Sequence, residues 1–374
     1  MKTARRAVSP LALRLVALAA LALACSTPST AATPPAPPPD PLPSWNEGPI
    51  KRRLVDFVVR TTTAGSPDFI PPEERLATFD NDGTLWPEEP IIQLAFVLAR
   101  LTRLAALNPS LKSKQPYKAA LQGDMAYLEQ AGEKALMELF AATSTGMTEE
   151  EFEMDVAEFF ATAKHPTLKL PFTALAYRPM VELLALLRAR GFETYLCSGG
   201  GTDFMRVISR PMYGIPPEQV IGTSVATELV SRAGRPMLMR KPALSGVVND
   251  KEGKPVGIGL HVGRRPVFAA GNVRSGGDIA MLEYTQGSRR PSFELVIDHD
   301  DAAREFAYQE KNGATIAAAR AHGWPVVSMK RDWRTIFGLR AETFPSSIAS
   351  PTASPTASPT ASPTASPTAS PTAP

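Results

Sequence analysis

Between residues 178 and 329, short apolar runs alternate with stretches of helical pattern, and most of the strand-like runs end on small or polar residues. The pattern predicts helix over 178–190, strand over 192–197, helix over 203–210 and the start of a strand at 219–221. Further strands are expected at 266–270, 293–297 and 324–329, with helices at 278–284 and 301–322 between them. Such alternation specifies an α/β fold, a Rossmann-like and mostly parallel sheet flanked by helices on both faces. Sheets of this kind bind ligands beyond the carboxyl ends of their strands. Functional side chains are therefore expected just after strands.

One segment ahead of this stretch carries the most chemistry. A short apolar strand at 76–79 runs into Asp80-Asn81-Asp82-Gly83-Thr84. Two carboxylates one residue apart on a tight turn can both reach one bound atom. Such a pair can hold a divalent cation while one member attacks phosphorus. The plainer alternative is a polar turn, because Asp, Asn and Gly are common turn formers. Helical patterns follow at 91–104, 116–133 and 149–163, and Thr148 with Glu151 suits a capping box. They are read as an all-helical cap inserted at about 86–170.

Three later segments sit where the strand-end rule wants them. Ser198-Gly199-Gly200-Gly201 follows the 192–197 strand, and its glycines let backbone N–H groups approach an anion. Two Lys-Pro pairs, at Lys241 and Lys254, offer a balancing cation. Lys254 is preferred because it precedes a short helix (255–262) leading into the next strand. That strand ends at Gly271-Asn272, with Asp278 six positions beyond Asn272.

In this order the segments resemble the four motifs of the haloacid-dehalogenase-like (HAD) hydrolase superfamily. The Ser-Gly-Gly form of the second motif and the helical cap are most similar to its phosphoserine-phosphatase-like branch. The resemblance implies that Asp80 is a nucleophile forming an aspartyl phosphate and that Asp82 is the general acid and base. It places Ser198, Gly199, Lys254 and Thr84 around the phosphate. It also implies a Mg²⁺ cofactor, held by Asp80, the Asp82 carbonyl, and Asp278 or Asn272. The chain departs from the pattern at the fourth motif, where Asn272 replaces the usual first Asp and Asp278 lies further on than usual. A neutral Asn side-chain oxygen can still ligate Mg²⁺, at the loss of one negative charge. Glu88 and Glu89 either meet an amino group of the substrate or simply suit the start of a helix.

The ends read differently from the core. Residues 1–24 have Lys2, Arg5 and Arg6 ahead of an uncharged Leu/Ala run, the pattern of an export signal. Cleavage is expected at 24/25, with Cys25 taking a lipid, or near 31/32. A Pro-rich linker is expected over 25–48, the hydrolase domain over 49–345, and a disordered tail over 346–374. From Ser350 to Ala373 it consists of six copies of Ser-Pro-Thr-Ala, a stretch with neither charge nor large apolar side chain to support a fold.

The net charge of +3 and the lack of a Lys/Arg run point away from nucleic acid, and the resemblance implies a small phosphorylated molecule as the partner. Contact with a membrane is expected only through a lipid on Cys25, and the oligomeric state is not specified. Cys197 is read as buried packing. His165 and His261 lack a second ligand at zinc spacing. His299-Asp300-Asp301 also follows a strand and either faces the site or, the preferred reading, caps a helix through Asp300. Together these features lead to an exported, Mg²⁺-dependent phosphomonoesterase, periplasmic or lipid-anchored. A phosphoryl transferase of the same fold and a non-catalytic surface protein are the alternatives.

Overall fold

A computed structural model describes residues 39–338, Ser275 excepted. The expected export signal, most of the linker and the repeat tail lie outside the described residues. The linker itself ends sooner than 48. Leu42 and Trp45 are fully buried, Ser44 donates through its N–H and its hydroxyl to Glu182 at 2.8 and 2.7 Å, and Trp45 packs edge-on to Trp333. Two large apolar side chains within four residues are enough to draw the end of a Pro-rich segment into a core.

The chain then forms α1 (Pro49–Thr62), which starts on a proline and buries Ile50, Leu54, Phe57, Val58 and Thr61 along one face. Strand β1 (Leu76–Phe79) is buried at every position. Next come α2 (Ile92–Leu107), α3 (Tyr117–Gln122), α4 (Met125–Ser144) and α5 (Glu149–Thr162). The pattern read as one helix at 116–133 is broken at Gly123, which adopts φ +70°, and resumes where Asp124 caps α4. The capping box of Thr148 and Glu151 is present at the start of α5.

After α6 (Arg178–Ala189) the chain makes β2 (Glu193–Gly201), α7 (Thr202–Ile208), β3 (Val220–Arg232) and β4 (Arg235–Ser245). It continues through α8 (Gly253–His261), β5 (Phe268–Asn272), α9 (Ile279–Gln286), β6 (Phe293–Asp298), α10 (Ala314–His322), β7 (Val326–Ser328) and α11 (Met329–Asp332). The seven-stranded sheet has the order β4-β3-β2-β1-β5-β6-β7, parallel except for the β3–β4 pair. With helices around it and a helical insertion after β1, this is the expected α/β architecture.

Two elements differ from expectation. The run from 219 is a long antiparallel hairpin, closed by Ala233 and Gly234, both at positive φ. Its outer half reaches the helical insertion: Arg240 exchanges backbone hydrogen bonds with Met147 and Gly146 and lies 3.9 Å over the ring of Phe152. The helix expected over 301–322 begins only at Ala314. Ahead of it, the Asp301 carboxylate accepts the N–H groups of Ala303 and Arg304 and holds a turn. Asp300 accepts from the Lys330 N–H and the Ser328 hydroxyl, so it ties the chain to α11 and caps no helix of its own.

The order places β1 at the reversal point of the sheet, with β2 on one side and β5 on the other. Asp80, Ser198, Asn272 and His299 all stand at carboxyl ends there, where α/β sheets form ligand crevices.

Candidate active site

Asp80 leaves β1 with its N–H bonded to Ala270 O of β5, at 2.9 Å. The turn behind it is wound by Asn81, whose carbonyl accepts the N–H groups of Thr84, Leu85 and Trp86. Gly83 in that turn has φ +72°, and a Cβ there would lie 2.5 Å from Glu88 Oε1 and 2.8 Å from Asn272 Nδ2. Only glycine satisfies both the backbone and the space.

Lys254 comes up from α8 and is almost wholly buried. Its Nζ lies 2.6 Å from Asp80 Oδ1 and 2.5 Å from Asp278 Oδ1. Burial alone would lower the lysine's proton affinity, but the two carboxylates outweigh it and hold the group well above its ordinary value. One cation thus serves two acids. Burial and the Asp80 charge push Asp278 up to about 7 despite the lysine. Its other oxygen accepts the Asn272 N–H at 2.9 Å, an approach that Gly271 permits because a Cβ there would sit 2.5 Å from the carboxylate.

The second oxygen of Asp80 accepts from the Thr84 hydroxyl at 2.9 Å. Asp82 is half-buried and accepts the Trp86 indole N–H at 3.0 Å. Desolvation, then repulsion from Asp80, push it up to about 6. Ser198 is buried at the end of β2, and its hydroxyl accepts the Gly200 N–H at 3.1 Å. Gly199 stands beside Asp250, and its carbonyl accepts from Thr223. The structure therefore brings Asp80, Asp82, Thr84, Lys254, Asn272 and Asp278 into one cluster, with Ser198 and Gly199 on the neighbouring strand. Lys241 is elsewhere, on the hairpin, paired with Glu228.

Glu88 and Glu89 both turn to the protein. Arg274 pairs with Glu89 and lies 3.8 Å from Glu88, and the Tyr308 hydroxyl donates to Glu88. Burial pushes Glu88 up to about 8.

The sequence reading weighed a site-facing role for His299-Asp300-Asp301 but preferred a helix cap there, and it passed over Tyr308. His299 Nε2 lies 2.7 Å from the Gly83 carbonyl, its Nδ1 lies 3.1 Å from Glu305, and its ring stacks on Tyr308 at 4.3 Å. Tyr177 donates to the same Glu305 at 2.9 Å. These groups brace the turn from Asp80 to Thr84 through the Gly83 carbonyl. The position of His299 directly after a strand was the signal.

The Mg²⁺ expected by resemblance needs oxygen donors at Asp80, the Asp82 carbonyl and the fourth motif. Asn272 instead presents its amide nitrogen, 2.6 Å from Asp82 O, 3.2 Å from Asp80 Oδ2 and 3.3 Å from Thr84 Oγ1. Its orientation follows from its partners, since Asn272 Oδ1 accepts the Arg274 N–H at 2.8 Å. Turning the amide over would set two donors against each other at Arg274. Asn272 thus offers no oxygen to a hard cation in this arrangement, and Asp278, the other fourth-motif candidate, is taken up by Lys254 and the Asn272 N–H. Among the described residues, no group of three or more His, Cys, Asp or Glu side chains is arranged to hold a metal.

Cys197, buried beneath Ser198, has its thiol pushed up to about 12 by burial and stays an inert packing group.

Several solved structures are similar in fold. A conserved protein of unknown function from Anaerococcus prevotii DSM 20548 is 15% identical over 75% of this chain and 91% of its own, with a TM-score of 0.49. A phosphoserine phosphohydrolase-like protein from Francisella tularensis subsp. tularensis SCHU S4 is 16% identical over 66% of this chain and 98% of its own, with a TM-score of 0.36. A probable phosphoserine phosphatase from Vibrio cholerae is 15% identical, covering 69% and 68%, with a TM-score of 0.34. No curated protein sequence matches the chain. The family model for haloacid dehalogenase-like hydrolases matches residues 77–283, more than half of the chain and every residue of the Asp80 cluster, and the protein belongs to that family.

Proposed function

We propose that this hydrolase cleaves phosphomonoesters, with Asp80 as nucleophile and Asp82 as general acid and base. The observation that carries the reading is the pairing of a buried Asp80, held by Lys254 and Thr84, with a neighbouring acid pushed up to about 6. An anionic nucleophile must approach an anionic phosphate, and Lys254 supplies the positive charge that lowers this repulsion. Asp80 then forms a bond to phosphorus as the ester oxygen leaves, and the proton of Asp82 passes to that oxygen. In the second step Asp82 takes a proton from water, whose oxygen attacks phosphorus and returns Asp80 as a carboxylate. The raised value of Asp82 suits both transfers, because the group can hold a proton nearer neutrality than an ordinary Asp.

The Ser198-Gly199-Gly200 segment in the last part of β2 and the helical insertion support the phosphoserine-phosphatase-like branch. An amino-acid phosphate as substrate has less support, because the carboxylates that would meet its ammonium group, Glu88 and Glu89, are engaged by Arg274 and Tyr308. The basic and then apolar start of the chain supports an exported enzyme, free in the periplasm or anchored through Cys25.

The test is release of inorganic phosphate from a panel of phosphomonoesters by the wild type and by Asp80→Asn. The wild type should turn over, and the variant should fold yet release none. Equal rates in the two would sink the mechanism.

A further inference from the structure

A cavity of about 320 Å³ opens beside the three glycines that follow Ser198 and end β2. Gly199, Gly200 and Gly201 form its floor, so it begins one residue from a side chain of the candidate phosphate site. Leu94 and Val97 of α2, Leu139 and Phe140 of α4, Leu244 of β4 and Val248 form the walls. No ionisable side chain lines it.

Its two polar side chains are turned to the backbone. Gln93 Oε1 accepts the Gly201 N–H at 2.8 Å, while Thr223 donates to Gly199 O and accepts the Asn249 N–H. At the rim, Ile91, Leu136 and Val248 are each more than 40% exposed, an arrangement that wastes apolar surface unless something apolar covers it. The glycines are what keep the space open: a Cβ at Gly201 would lie 2.8 Å from Gln93 Nε2 and one at Gly200 would lie 3.0 Å from Gln93 Oε1. The volume falls in the range of small-molecule sites. On the other side of the cluster, Glu88, Glu89, Arg274 and Tyr308 satisfy one another and offer a polar leaving group little that is unpaired.

We propose that this cavity receives the hydrocarbon part of the substrate, so that the ester cleaved is the phosphomonoester of an apolar alcohol and not of an amino acid or a polyol. The inference rests on the hydrolase reading above. It assigns the leaving group to the space between α2, α4 and the three glycines, where each buried methylene adds binding energy in proportion to its area.

Two series separate the inference from the reading beneath it. In the first, kcat/KM is measured for ethyl, butyl, hexyl and octyl phosphate, beside O-phosphoserine and glycerol phosphate. The value should rise about threefold to fourfold per methylene until the cavity is full, and the two polar esters should fall below butyl phosphate. Phosphate release that ignores chain length, or that favours phosphoserine, overturns the inference and leaves the hydrolase standing.

In the second, the matching n-alkylphosphonates, which cannot be hydrolysed, are titrated calorimetrically into the full chain. Affinity should climb with length in the same proportion, and Leu136→Asp at the exposed rim should flatten the slope. Chain-length-dependent binding without any turnover would support the cavity assignment while removing the hydrolase reading. Binding that does not change with length overturns the assignment.

Discussion

The side-chain nitrogen of Asn272 lies 2.6 Å from the backbone oxygen of Asp82 and 3.2 Å from Asp80 Oδ2, so a hydrogen-bond donor stands between two oxygens that resemblance would give to a cation. An amide there neutralises nothing, but it satisfies the lone pairs that a metal would otherwise take up. The site is left with Lys254 as the cation shared by Asp80 and Asp278.

Replacing that donor with an acid should reverse the relationship. In Asn272→Asp, a carboxylate would face Asp80 Oδ2 and Asp82 O, so the variant should be less stable than wild type in chelator. Millimolar Mg²⁺ should restore it, since a ligand at a hundred times its Kd stabilises by about 2.7 kcal/mol. For a folded region of this size that is a rise in Tm of about 4 °C. The wild type should move by less than about 1 °C, a free-energy change well below 1 kcal/mol. Thermal melts with and without Mg²⁺ read this directly, and an equal rise in both proteins would contradict the fit of the donors.

Lys254→Met tests the shared cation. The change leaves Asp80 and Asp278 buried without their lysine, and breaking a buried ion pair by removing one partner costs about 3–5 kcal/mol. The loss should be largest at pH 8 and smaller at pH 5.5, because the abandoned carboxylates take up protons more readily as pH falls. Urea denaturation at the two pH values gives both numbers. A deficit that grows on acidification would show that the carboxylates are not the groups left unpaired.

How far the sequence disclosed this site depended on how local each signal was. Asp80, Ser198, Lys254 and Asp278 follow or flank apolar runs short enough to be read as strands or turns, and the sheet order then brings them together. The hairpin was hidden because Val220–Arg232 leaves its core after Val225 and continues with Thr227, Glu228 and Ser231 on exposed or half-exposed positions. Its turn is Ala233-Gly234, without the Asn-Gly or Asp-Gly that marks such turns most strongly. The segment 301–313 misleads in the opposite sense. Its Ala302-Ala303-Arg304-Glu305 run favours helix, but Glu305 is drawn inside to His299 and Tyr177, and that tertiary bond overrides propensity.

Glu88→Gln should change how stability depends on pH. Burial raises the Glu88 carboxyl from its ordinary 4.5 to about 8, so the folded chain binds this proton more tightly than the unfolded chain. The stability it contributes is complete below pH 4.5 and is lost as pH rises through about 8. Gln does not titrate and still accepts from the Tyr308 hydroxyl. The Tm of the variant minus that of the wild type should therefore increase steadily from pH 5 to pH 8.5. Each tenfold difference in proton affinity is worth about 1.4 kcal/mol, so a gain of at least about 1 kcal/mol is expected across that range. A difference that stays level would place the charge of Glu88 in an ordinary, solvated setting.

The hairpin has a role that can be separated from the chemistry. Arg240 is buried at the junction, where its Nε donates to Ser144 O at 2.7 Å, its other end pairs with Asp203, and its plane covers Phe152. Arg240→Met keeps much of the apolar stem but leaves the largely buried Asp203 and the Ser144 carbonyl without this donor, a loss of about 3 kcal/mol. Because Arg240 joins β4 to the end of α4 and the start of α5, amide exchange should speed up at 144–162 and 235–245. Exchange in β1 and β5, which touch neither, should be unchanged. Leu244 on the same strand lines the apolar cavity together with Phe140 of α4. Loosening that wall should raise KM for hexyl phosphate more than it lowers kcat, since it disturbs where the chain of the ester lies and not how Asp80 reaches phosphorus. If kcat fell while KM stayed fixed, Arg240 would have to act on the reacting groups themselves.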